Sequence, residues 1–103
     1  MNTQQASELK QLLQKVASHP DLFLGKPDIF LAEVFLSGFS AALAKTAGLD
    51  LTEHQRVIAD RGWRVPSASE SVTNQMLESG MSPEQVIAEL VAIEIEVVNR
   101  STE

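Results

Sequence analysis

The tetrapeptide Ser82-Pro83-Glu84-Gln85 constrains this chain more than any other four residues. Serine at an N-cap accepts a hydrogen bond from a first-turn amide. Proline suits the first helical position, where its missing N–H has no partner to lose, and glutamine two residues later can bond back to the cap. The pattern predicts a helix from Pro83 to about Asn99. On that helix Ile87, Leu90, Val91, Val97 and Val98 form one broad apolar arc, and Glu94 projects from its middle. Gln85, Glu89, Ala92 and Glu96 lie opposite. Ile93-Glu94-Ile95-Glu96-Val97 also alternates like a β-branched strand. No second strand is evident to pair with it, so the helix prevails.

The rest of the chain reads as helices too. A helix over 4–17 places Ala6, Leu9, Leu13, Val16 and Ala17 at steps of three and four. Pro20 ends it, because proline disfavours helical backbone at the preceding residue. Leu22, Phe23 and Leu24 then form a short extended piece covering the core before the turn at Gly25. Asp28 and Gly48 bracket a second helix over 28–47. Phe30, Leu31, Val34, Phe35, Leu36, Phe39, Ala42 and Leu43 cover most of its circumference, leaving a narrow, weakly polar strip of Glu33, Ser37, Ser40 and Ala44. A helix apolar nearly all round is normally central. Thr52 and Gln55 suggest a capping box for a short helix over 53–60, and Ser69 a cap for a fourth carrying Val72, Met76 and Leu77. The expectation is an all-α, compact bundle of four to five helices with helix 28–47 central, forming a single helical domain over residues 1–103.

Charge narrows the partners. The net charge is −6, and the excess lies entirely after Pro66, where seven glutamates face Arg100 alone. Such a field disfavours nucleic acid and anionic membranes and attracts basic proteins. With no cysteine, disulfides, thiolate metal sites and thiol catalysis are excluded, and the chain suits a reducing compartment. The N-terminus shows no basic region or apolar run typical of a signal peptide. No apolar stretch stands out as the roughly 20 residues that span a bilayer. A cytoplasmic location is the expectation.

Three groups of residues are candidates for function. Glu94 needs a partner, since a carboxylate among apolar groups is costly unless paired or hydrogen-bonded. It is either a structural group satisfied by Trp63, an arginine or backbone amides, or an interface group answering a cation on a partner. Glu84, Glu89 and Glu96 offer an acidic face without neighbouring lysines. Arg61, Trp63 and Arg64, with His54 and Arg56 nearby, form the one basic and aromatic cluster and are the candidate anion or nucleotide site. His19 and His54 lack the spacing of a zinc motif. No nucleophile elbow, phosphate-binding loop or dinucleotide fingerprint occurs. No enzyme, metal or cofactor is therefore expected.

The segment His19-Pro20-Asp21-Leu22-Phe23-Leu24-Gly25, followed by Phe35-Leu36-Ser37-Gly38-Phe39, resembles a pattern in small bacterial proteins of unassigned function. That pattern runs approximately R-P-x-M-Y-L-G and then F-L-x-G-Y. Here histidine stands for the arginine, leucine for the methionine and phenylalanine for both tyrosines. The resemblance covers residues 19–43. It implies a bacterial or phage origin and a helical fold, and it brings no catalytic residue.

These features together point to a non-enzymatic acidic interaction module, of the inhibitor or immunity-protein kind. It would meet a basic partner protein through Glu84, Glu89, Glu94 and Glu96. The alternative is a structural or regulatory homo-oligomer whose dimer seam is the arc of Leu90, Glu94 and Val97.

Overall fold

The computed structural model describes residues 1–19, 28–67 and 69–102. Among them run five helices and no strand: α1 (Thr3–Ser18), α2 (Ile29–Thr46), α3 (Glu53–Asp60), α4 (Val72–Glu78) and α5 (Pro83–Arg100). The chain is an all-α compact bundle, as its periodicity implies. Residues 20–27, where the extended piece, the Gly25 turn and most of the first motif fall, lie outside the described residues.

Local signals account for most helix ends. Ser82 caps α5 with the full capping box, its Oγ accepting from the Gln85 amide while the Gln85 side chain accepts from the Ser82 amide. The same device opens α1, where Asn2 and Gln5 exchange equivalent bonds. Asp28 caps α2 at the Leu31 amide. Gly48, at φ +75°, turns the chain away after α2, in a region where a side chain would be strained.

Two caps differ from expectation. Thr52 makes no capping bond to α3; its hydroxyl and amide both bond to the Asp50 carboxylate, at 2.6 and 3.0 Å. That local turn sets the approach to α3 and competes for the threonine hydroxyl. The cap of α4 is Ser71, two residues later than Ser69, and its Oγ accepts from the Asn74 amide at 3.1 Å. Along α4, Met76 faces inward and is fully buried, while Leu77 is 43% exposed.

The centre of the bundle is α5, and α2 is not central. Every substantial helix–helix packing among the described residues is made by α5, against α1, α2, α3 and α4 in turn. It buries Val86, Ile87, Val91, Ile93, Glu94, Val97 and Val98. Around it close Leu13 and Val16 of α1, Val57 and Ile58 of α3, and Met76 of α4. By contrast α2 contributes only Ala32, Leu36 and Ser40 as buried residues. Phe35 and Phe39 lie along its margin, half-buried and stacked with ring centroids 6.2 Å apart.

Helix α2 also corrects the expectation that no segment suits a bilayer. It offers 18 residues of mean hydropathy 1.4, of which 17% are buried. By length and composition alone that is enough to cross a membrane. The surrounding bundle supplies a different context, because α2 is fastened to α5 along one side.

Position relative to α5 should therefore govern stability. Leu13→Ala leaves a cavity in a fully buried contact and should cost about 3 kcal/mol. Leu77→Ala should cost within about 0.5 kcal/mol, as for exposed positions. Urea unfolding of the two variants measures the difference.

Candidate functional site

Glu94 finds its partners on two other helices. At 6% exposure it is buried in the seam joining α2, α3 and α5. Ser40 of α2, itself buried, donates its hydroxyl to Glu94 Oε2 at 2.8 Å. His54 of α3 places Nε2 2.5 Å from Glu94 Oε1. The Glu94 carboxylate holds the imidazole above its ordinary value near 6.5, outweighing the opposing effect of burial. A hydrogen bond to the Leu51 backbone acts in the same direction. The arrangement is an ion pair completed by a hydroxyl, tying three helices together.

Serine, histidine and glutamate together invite comparison with a hydrolytic triad, but the geometry is different. In a triad the acid orients one ring nitrogen while the other takes the serine proton. Here Glu94 and Ser40 approach the same nitrogen, and Ser40 Oγ, 3.4 Å from Nε2, has its closer contact with the carboxylate. The serine proton is directed to Glu94, and the imidazole has no role as its base.

The arginine and tryptophan cluster is also internally satisfied. Arg61 donates Nε and Nη2 to the two oxygens of Glu89 at 2.8 and 2.7 Å. Trp63 Nε1 donates to Glu89 Oε2 at 3.0 Å. Arg61 pairing, assisted by Trp63, holds the Glu89 carboxyl below its usual range against partial burial. Arg64 points elsewhere and bonds Glu70 at 2.8 Å. The side chain of Gln75, buried and unmarked by any sequence signal, pins the Arg64 backbone at both its amide and its carbonyl, each at 2.8 Å. Arg61, Trp63 and Arg64 thus form no common anion site, and the chain's own carboxylates occupy the first two.

The four glutamates proposed for docking are likewise dispersed. Glu94 is buried, Glu89 is held by Arg61 and Trp63, and Glu96 is bonded by Arg100 at 3.0 Å with Arg61 at 3.6 Å. Arg100 continues the network to Asp60 at 2.7 Å and Glu53 at 3.7 Å. Of the four, only Glu84, in the first turn of α5, is exposed and outside these ion pairs. The dimer seam expected at Leu90, Glu94 and Val97 is unavailable, because Val97 and Glu94 are enclosed by the neighbouring helices.

What remains open is the outer face of α2. Phe30 is 70%, Val34 54% and Leu31 38% exposed, and Gly38, Ala41 and Ala42 continue the same face. Beside Ala41 lies a shallow depression of about 320 Å³ lined by Ser37, Ser40, Ala41, Leu51, His54 and Glu94. Leu51, also exposed, extends the apolar surface past the end of the helix. Within the weakly polar strip of α2, Ser40 turns inward, where it donates to Glu94. Among the described residues no cluster of three metal-binding side chains occurs. Comparison with protein-family models, curated proteins and solved structures gives no match.

The raised His54 value has a consequence for stability. A base whose folded value exceeds its unfolded one stabilises fully below the unfolded value and loses that contribution as pH rises through the folded one. Wild type should therefore exceed His54→Gln in stability most at slightly acid pH, with the gap narrowing as pH climbs above 6.5. Urea titrations of both proteins over a pH series measure that gap. Ser40→Ala should cost about 1–2 kcal/mol throughout, because a buried carboxylate oxygen loses its donor.

Proposed function

We propose that the protein is a non-enzymatic interaction module that docks through the outer face of α2. The supporting observation is the exposure of Phe30, Leu31 and Val34 on a helix whose opposite side is already fastened to α5. Isolated exposed apolar residues are ordinary, whereas a contiguous apolar face rimmed by polar groups marks a binding surface. Internal satisfaction of Arg61, Trp63 and the Ser40–His54–Glu94 cluster leaves those groups to architecture. The same satisfaction weakens the inhibitor reading based on the acidic helix, since three of its four glutamates are engaged within the chain.

Site-specific photocrosslinking in the native cell tests the docking reading. A crosslinking residue at Val34 should form a defined protein adduct, and one at Glu84 should form none. Adducts from Glu84 with none from Val34 would transfer docking to the acidic helix. Absence of adducts from both positions would end the interaction reading.

A further inference from the structure

Resting on that docking reading, we infer that the occupant of the α2 face is a second copy of this chain, packed antiparallel. Size along the helix is the first argument. The bulky exposed residues Phe30, Leu31 and Val34 all lie in the N-terminal half, and the small ones, Gly38, Ala41 and Ala42, in the C-terminal half. A helix turns about 100° per residue and rises 1.5 Å. With a two-fold axis level with Leu36, each bulky residue comes within about one residue's rise of a small one of the second copy. Phe30 faces Ala41, Leu31 faces Ala42 and Val34 faces Gly38. The depression beside Ala41, bounded by Leu51, gives the Phe30 ring room. Parallel pairing instead sets Phe30 against Phe30 and leaves a gap at Gly38.

Gly38 sharpens the argument from size. An added Cβ there meets nothing within 4 Å, and the residue sits in regular helix. Glycine disfavours a helix interior relative to alanine, and among the described residues nothing crowds this position. Close approach from outside requires glycine there.

Charge agrees with this register. Lys45 is the one charged residue centred on the face, and the arrangement brings it level with Asp28 of the second copy, at both ends of the seam. None of Phe30, Leu31, Val34, Gly38, Ala41 and Ala42 is charged, so the contact sets no like charges of the two net −6 chains directly against each other. A lipid surface is the less favoured occupant. The face carries Lys45 alone, without the rows of arginine and lysine that flank membrane-lying helices, and Ser40 holds α2 to α5. One helix face of this length covers roughly 400 Å² per copy, about half that of a standard interface. The dimer is therefore weak and concentration-dependent.

Sedimentation equilibrium of the full chain should show average mass rising from 11.2 kDa toward twice that value across the micromolar range. Gly38→Gln fills the small half and should abolish the rise while raising the thermal midpoint of the dilute monomer. Glu84→Lys should leave the rise intact. Because the chain has no cysteine, Val34→Cys and Gly38→Cys proteins can be mixed and oxidised. The antiparallel register predicts that the mixed disulfide dominates. A wild-type monomer at every concentration, undiminished dimerisation of Gly38→Gln, or a dominant Val34→Cys homodisulfide would each overturn the inference. Partition of a monomer into phosphatidylcholine vesicles would assign the face to lipid and overturn it too. A monomer in solution whose Val34 adduct in cells contains a different protein defeats the second copy alone and leaves the docking reading in place.

Discussion

A single buried carboxylate decides how this bundle is arranged. Glu94 sits in the middle of the apolar arc of α5, and its two oxygens take Ser40 from α2 and His54 from α3. Leaving such a group unpaired costs on the order of 3–5 kcal/mol. Rotating α2 to bury Phe30 and Val34 would gain about 1.5–3 kcal/mol for each. The same rotation would expose Leu36 and Ala32 and withdraw Ser40, so most of the apolar gain cancels and the carboxylate loses its donor. The polar term therefore wins, and α2 presents the Ser40 hydroxyl inward and Phe30 outward.

The same accounting separates architecture from binding among the remaining charged groups. Arg61, Glu89 and Trp63 close one side of α5, and Arg100, Glu96 and Asp60 continue along it. Exposed pairs of this kind contribute little to stability, typically below about 1 kcal/mol. Their larger effect is to consume charge. An arginine holding two carboxylate oxygens of its own chain has fewer donors for a phosphate, and a glutamate so held has less attraction for a foreign cation. The acidic total of the chain overstates the acidity of any one surface.

Much of the fold was legible because its determinants are local. The capping box at Ser82, the stop at Gly48 and the periodicity of Leu9, Leu13 and Val16 each act within a turn or two of the chain. The features that escaped are those fixed over distance. Ser40 meets Glu94 across 54 residues and His54 meets it across 40, and nothing in the neighbourhood of either announces the contact. Glu94 itself was recognisable as a residue in need of a partner, yet periodicity could not name the partner. Thr52 and Ser69 show the local version of the problem. At α3 the Asp50 carboxylate draws the Thr52 hydroxyl away from capping, and at α4 Ser71 takes the cap in place of Ser69, through geometry that composition does not encode.

The centrality expected of α2 failed for a reason that bears on function. An almost wholly apolar helix implies burial on all sides, and the inference assumes that one chain supplies every neighbour. Here α5 supplies the inner side only. The outer side retains the chemistry of a core position, with Phe30 and Val34 where a surface helix normally carries charge. Folding alone does not require those residues there, and glycine at position 38 disfavours the helix it occupies. The proposed partner would reconcile these facts, because it would convert an exposed apolar stripe into a buried one and give the glycine a close neighbour. On the proposed docking, the outer side of α2 is completed as a core by residues from outside the chain.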